Sequence, residues 1–448
     1  MSQFDEKQLS KEESPELKVV DDISLRQEEP LLLTGSGGKC ERGIEATRGI
    51  KERTAKSNSA KPAAGGVAAD KENGKEWKKP LSILLLCLFL PWLCCSMISE
   101  SQWSGVERLR LNNFVSRANK EHKFEEAERY SFMAIKHLEK VAEEDPTRAD
   151  RLAWSYQRLA ETYELWEKDA LAAQYLQKAA DTATTNVVKA WYLYRAADAY
   201  QAIDPALAES DLKARWQLFA GDEKRLDDVP VSNYRSWNEQ LLSHILTTAG
   251  KFSQAEAAAK RASDLTTEQS PGWYHSVSTL LRADALYGMG NRDGAAAAYK
   301  EATNMAQGDD SPEYVNEFFG MARYNELNSL YAAAESALRR ALRDIEKPGT
   351  EPFYNKQALQ NELGLVYIAQ QRYAEALTVL NEAITRDRKI NDGKNLYLAR
   401  DLVSLSKALA AVGQTASAQK AVAEALSIRR QILGPDNPLT KEAQALLQ

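Results

Sequence analysis

Residues 96–448 contain no cysteine; the four in the chain are Cys40, Cys87, Cys94 and Cys95. A disulfide framework and a thiolate metal site are therefore excluded from most of the chain. Histidine is nearly as scarce. His122, His137, His244 and His275 form no HxxxH pair and no HExxH, so the spacing that puts two zinc-binding imidazoles on one helix face is missing. No Gly-x-Ser-x-Gly elbow and no dinucleotide glycine fingerprint occurs. The stretch "GSGGK" (residues 35–39) lacks the full glycine spacing and the Ser/Thr of a phosphate loop. Basic excess is absent too: the net charge is −6, which excludes a global field for nucleic acid. With no nucleophile–base pair and no metal set, the sequence points away from an enzyme and calls for no cofactor, metal or small-molecule substrate.

Only one stretch is long and free of charge. Residues 81–98, "LSILLLCLFLPWLCCSMI", hold ten Leu, Ile or Phe among 18 residues. As a helix they would span about 27 Å, enough for a bilayer's hydrocarbon. A cleaved signal peptide begins close to the N-terminus, whereas 80 residues precede this run. A single transmembrane signal anchor is the expectation. Residues 1–80 lack any helix or strand period and are rich in Lys, Glu, Ser, Gly and Ala, the composition of a disordered tail. Charge segregates within that tail: residues 1–29 carry nine acids and four bases, residues 51–80 eight bases and four acids. Lys75, Lys78 and Lys79 precede the apolar run, while Arg108 and Arg110 beyond it are opposed by Glu100 and Glu107. By the positive-inside rule the N-terminus is cytoplasmic and the rest exoplasmic.

Residues 99–112 read as a linker passing into the first helix, and residues 113–448 as one all-α domain. Ala, Leu, Glu, Gln and Arg dominate there, apolar residues recur at i, i+3, i+4 and i+7, and no strand run appears. One phrase keeps returning. "YAAAESALRRAL" (331–342), "YAEALTVLNEAI" (373–384) and "TASAQKAVAEAL" (415–426) align on Ala334, Ala376 and Ala418, spaced 42 and 42. Looser echoes place Ala127, Ala172, Ala208, Ala255 and Ala295 earlier, at spacings of 45, 36, 47, 40 and 39. Each unit reads as a helical hairpin whose alanine lets the two helices approach closely. Stops fall at Pro146, Ser270-Pro271, Ser311-Pro312, Pro348-Gly349 and Asn437-Pro438, where Ser or Asn before Pro suits an N-cap and first helical turn. The expected fold is an α-α superhelix, a solenoid of about eight hairpins.

These residues resemble the tetratricopeptide repeat family. "YQRLAETYELWEKDALAAQYLQKA" matches its pattern with Tyr156, Leu159, Ala160, Tyr163, Ala172, Leu176 and Ala179; "ELGLVYIAQQRYAEALTVLNEA" does so with Leu363, Gly364, Tyr367, Ala376, Leu380 and Ala383. Gln360 stands where the family has an aromatic. The 42-residue spacing and "ALSIRRQILGPDNPLT" (425–440) are similar to the kinesin-light-chain-like subtype, with Asn437 in place of its usual His. The resemblance implies that first helices line a concave groove holding a protein or peptide partner. Mapped onto this chain, it puts Trp154, Gln157, Glu161, Glu164, Trp237, Gln240, His244, Arg323, Asn361, Arg400 and Lys407 on that groove. Trp191, Tyr192 and Tyr194 fall to the core. The expected function is a membrane-anchored scaffold with exoplasmic repeats. The alternatives are a cytosol-facing import-type receptor and a secreted product cleaved near residues 94–97.

Overall fold

The computed structural model describes residues 100–140, 145, 147–219, 225–226, 229–266, 272–306, 314–345 and 355–447. All of them belong to the compact unit Gly37–Gln448, and none to the unit Met1–Ser36. The expected anchor at 81–98 and the tail at 1–80 lie outside the described residues. Among the described residues, no helix is long and apolar enough to cross a membrane.

Successive helices pair as antiparallel neighbours. The hairpins are α1 (Glu100–Lys120) with α2 (Phe124–Glu139), α3 (Arg148–Leu165) with α4 (Asp169–Thr182), and α5 (Asn186–Tyr200) with α6 (Pro205–Leu218). Then come α7 (Val231–Thr248) with α8 (Phe252–Asp264), α9 (Gly272–Gly288) with α10 (Arg292–Ala306), and α11 (Tyr314–Leu327) with α12 (Tyr331–Asp344). The last two are α13 (Lys356–Ala369) with α14 (Tyr373–Asp387), and α15 (Leu396–Ala411) with α16 (Thr415–Leu433), followed by the short α17 (Pro438–Ala445). The eight alanines that set the sequence period fall one to each second helix, α2 to α16. Seven are 0% exposed and Ala418 is 7% exposed. The period thus marks helix crossings. At the α13–α14 crossing even a methyl is too large: a Cβ at Gly364 would lie 2.6 Å from Leu380 Cγ.

The turns explain why helices reverse at this spacing. In seven hairpins the first helix ends in a left-handed residue: His122, Glu167, Gly250, Gly290, Ser329, Gln371 or Gly413. The next amide then bonds back five residues, as from Lys123 to Ala118 O, Lys168 to Tyr163 O and Arg372 to Tyr367 O, each at 2.9 Å. This Schellman closure satisfies the orphan carbonyls of the first helix and aims the chain into the second. The third hairpin differs. Asp204 caps α6 through Leu207 N–H with Pro205 behind it, and buried Arg215 braces the assembly. Its guanidinium donates to Ala190 O at 3.1 Å, Tyr234 O at 3.0 Å and Asn238 Oδ1 at 3.1 Å. Burial lowers the Arg215 pKa to about 10.

N-caps follow the sequence where they can be seen. Asn437 accepts from Leu439 N–H ahead of α17, with Pro438 as its first residue. Pro146, Ser270-Pro271, Ser311-Pro312 and Pro348-Gly349 lie outside the described residues. Among the described residues, one pairing is not helical: β1 (Arg225–Leu226) and β2 (Val229–Pro230) form a two-residue antiparallel ladder between α6 and α7.

First helices also touch first helices of the next hairpin, α7 with α9 and α13 with α15, so they form one wall. Among the described residues, three hydrogen bonds join repeats far apart in the chain. Asn391 N–H donates to Glu167 O at 3.0 Å, Leu396 N–H to Ala202 O at 2.8 Å, and Asn437 Nδ2 to Ala249 O at 2.7 Å. The acceptors are the turns of the second, third and fourth hairpins; the donors lie in the loop before α15, at its first residue and just ahead of α17. Gly250 belongs to this seam, since a Cβ there would be 2.8 Å from Leu439 Cγ.

Candidate functional site

The wall of first helices carries a chain of paired charges. On α3, Gln157 Nε2 donates to Glu161 Oε1 at 2.9 Å, while Gln157 Oε1 accepts from the Tyr192 hydroxyl at 3.2 Å. Arg195 on α5 pairs with Glu164 at 2.5 Å and approaches Glu161 at 3.9 Å. Trp154 is half-buried, with the Arg158 guanidinium 5.8 Å from its ring centre. Further along, Arg323 on α11 pairs with Glu362 on α13 at 2.5 Å and with Glu326 at 3.7 Å, lying 4.4 Å over the Tyr287 ring. Arg400 on α15 donates to Asp401 at 2.7 Å and keeps 31% of its side chain accessible. Lys407 is exposed.

Crowding of these groups shifts their protonation. Burial raises the Glu164 carboxyl, against the pull of Arg195. Asp169 rises to about 7 through burial and the neighbouring Glu164, Asp198 and Glu167. Neighbouring protein that displaces water, then the Glu164 charge, raises the Asp198 carboxyl to about 6 against the pull of Arg195. Burial, helped by the Arg400 charge, lowers His244 to about 4.

Of the eleven residues expected on the groove, two are placed differently. Gln240 is 0% exposed and donates to Tyr274 O and Ser278 Oγ, both at 3.0 Å; Asn361 is 1% exposed and bonds Asp401 and Ser404. Both amides join neighbouring first helices instead of facing a ligand, because a buried polar side chain needs a partner. Trp237 is half-buried and stacks on Tyr274 at 5.6 Å. Trp191 corrects the expectation of a core residue: it is 40% exposed and stacks on Tyr194 at 6.2 Å, while Tyr192 is 4% exposed. Gln360, in the aromatic's place, is buried and donates to Glu382 Oε2 at 3.1 Å. Sequence reading missed Asp169, Asp198, Tyr397 and Asp387, whose placement depends on contacts between distant hairpins. Among the described residues, no group of three or more His, Cys, Asp or Glu could hold a metal ion.

Hairpins stacked through their first helices, with a polar inner wall, define an all-helical repeat protein. Residues 356–431, from the start of α13 into α16, match the tetratricopeptide repeat family model. No curated protein sequence matches the chain. Among solved structures, a Rap protein complexed with Competence and Sporulation Factor is 12% identical with a TM-score of 0.44, covering 76% of this chain and 96% of that one. Aspartyl phosphate phosphatase F from Bacillus subtilis is 9% identical with a TM-score of 0.46, covering 73% and 95%. Yeast Tom70 is 15% identical with a TM-score of 0.39, covering 72% and 60%. None of these likenesses carries a function to this chain.

Proposed function

We propose that the chain is a binding scaffold whose inner wall receives an extended segment of a protein or peptide partner. One observation carries this reading. Arg400, oriented by its bond to Asp401, keeps 31% of its side chain accessible on the inner wall, with Lys407 exposed on the same helix. A guanidinium held in place by a carboxylate and still reached by solvent, beside an exposed ammonium, suits backbone carbonyls or carboxylates of a bound segment. Peptides selected from a displayed library on the full chain test this. Arg400→Ala is expected to weaken selected binders about 10- to 100-fold, as loss of a charge-assisted contact does. Unchanged affinity for both Arg400→Ala and Arg323→Ala would place the ligand elsewhere.

Residues 81–98 are proposed as the anchor, with the N-terminus cytoplasmic and the repeats exoplasmic. The uncharged run and the lysines at 75, 78 and 79 support this. Protease added outside intact cells should remove a C-terminal tag. Protection of the tag would favour cytosolic repeats, and a soluble product starting near Met97 would favour cleavage.

A further inference from the structure

The loop between α14 and α15 is held in a conformation that needs outside support. Asn391 (φ 49°, ψ 44°), Asp392 (φ 54°, ψ 34°) and Gly393 (φ 74°) are successively left-handed. Side-chain-bearing residues avoid that region and stay there only where the surroundings fix them. Two supports are visible. Asn395, 0% exposed, donates through Nδ2 to Asp387 O and Ile390 O, both at 2.9 Å, and accepts Leu398 N–H through Oδ1 at 2.9 Å. On the far side, the seam bonds to Glu167 O and Ala202 O take up the Asn391 and Leu396 amides.

At the root of this loop sit two carboxyls, Asp387 closing α14 and Asp401 on α15, both 0% exposed. Asp401 Oδ1 accepts from Asn361 Nδ2 at 2.9 Å and Arg400 Nε at 2.7 Å. Asp401 Oδ2 and both Asp387 oxygens have no donor of good geometry. The two carboxyls are within hydrogen-bonding reach of each other. Two ionised carboxylates cannot share a site closed to water; one proton between them joins Asp401 Oδ2 to one Asp387 oxygen, two of the three orphans.

We propose that a proton shared by Asp387 and Asp401 is a staple that holds the 388–395 loop in its left-handed form and keeps the seam shut beside the inner wall. Releasing that proton to solvent leaves two like charges in a dry site, so α14 and α15 separate at the loop and the bonds to Glu167 and Ala202 are lost. The staple regulates access to the inner wall, and that part rests on the binding function proposed above; the seam itself does not. The groups facing the pair come from several elements. Arg400 favours the ionised form, Gln357 and Asn361 on α13 offer amides, and Glu362 on α13 bears on Arg400. Tyr397 feels Asp387 together with Asp198 of α5 and Asp169 of α4. Burial first, then the Asp401 charge, raises Asp387 to about 8, so the switch lies on the alkaline side of neutrality.

Hydrogen exchange of the full chain tests the staple without any ligand. Protection of the Asn391 and Leu396 amides is measured at pH 6.5 and pH 9.5, each corrected for base-catalysed chemical exchange, with α8 amides as the internal control. The expected result is at least tenfold lower protection at the seam at pH 9.5, with α8 unchanged. Asp387→Asn, whose amide donates to Asp401 at every pH, should keep seam protection at both values. Equal wild-type protection at the two pH values overturns the proposal, as does an identical loss in Asp387→Asn. Should that variant fail to fold, the wild-type comparison alone decides. Because the readout is the seam, it stands or falls separately from peptide binding.

Discussion

Replacing Asn395 with alanine should loosen the α14–α15 junction more than any exposed substitution nearby. The side chain is 0% exposed and makes three hydrogen bonds at 2.9 Å: one caps α15, two satisfy the carbonyls of Asp387 and Ile390. Loss of an Asn cap costs about 1 kcal/mol. Leaving one buried carbonyl without a donor costs about 1–3 kcal/mol, and the Ile390 carbonyl, closer to water, less. Together the loss is about 3 kcal/mol, a factor of about 150 in the local opening equilibrium. Exchange of amides 396–402 reads this directly and avoids the assumption that a repeat protein unfolds in one step. Asn395→Ser separates the parts: it keeps a capping oxygen but cannot reach both carbonyls, so it should recover about 1 kcal/mol of the loss. An Asn395→Ala effect below about 1 kcal/mol, or a serine no better than alanine, would refute the assignment of the bonds.

The pH dependence of stability has a definite sign. Asp169 and Asp387 titrate at about 7 and about 8 in the fold, so between pH 6.5 and 8.5 the folded chain holds protons that the unfolded chain has already released. Stability therefore falls as pH rises through that window, and a higher thermal midpoint at pH 8.5 than at 6.5 would contradict it. His244, lowered to about 4, acts in the opposite sense but only below its unfolded value near 6.5, which is why the window starts there. Gln371→Gly should stabilise the seventh hairpin by about 0.5–1 kcal/mol, because Gln371 sits at φ 62°. Gly413→Gln, at φ 77°, should do the reverse in thermal unfolding. Gly364→Ala should destabilise by about 1–2 kcal/mol despite alanine's better helix propensity, since its Cβ would meet Leu380 Cγ at 2.6 Å; a higher midpoint would sink that account.

The hairpins were legible because alanine at a crossing leaves a periodic mark. Ala127, Ala208 and Ala295 were found by that mark even where the rest of the unit is degenerate, and each lies buried on a second helix. The turns were harder to read. Glu167 and Gln371 occupy left-handed positions with no glycine to announce them. Amides misled for a physical reason: Gln240 and Asn361 occupy inner-wall register, and sequence cannot tell an amide that bonds the next helix from one that faces a ligand. The acidic pair was invisible for another. Asp387 and Asp401 sit in different helices, at positions where solvated charges also occur, and only packing brings them together. The seam left no trace either, since Glu167 and Asn391 belong to units five repeats apart and no local pattern links them.

That seam changes how disorder can spread. In an open array of repeats each end frays alone, and the middle is untouched by what happens at either terminus. Here the turns of the second to fourth hairpins are bonded to the chain around the eighth, so a linear stack acquires a cross-link between distant members. Melting the chain around the last hairpin then frees the Glu167, Ala202 and Ala249 carbonyls in the second to fourth hairpins, and the weakest point becomes a property shared by both ends of the cross-link. Deleting α17, at the far end of the sequence, should be felt at the turn that joins α7 to α8.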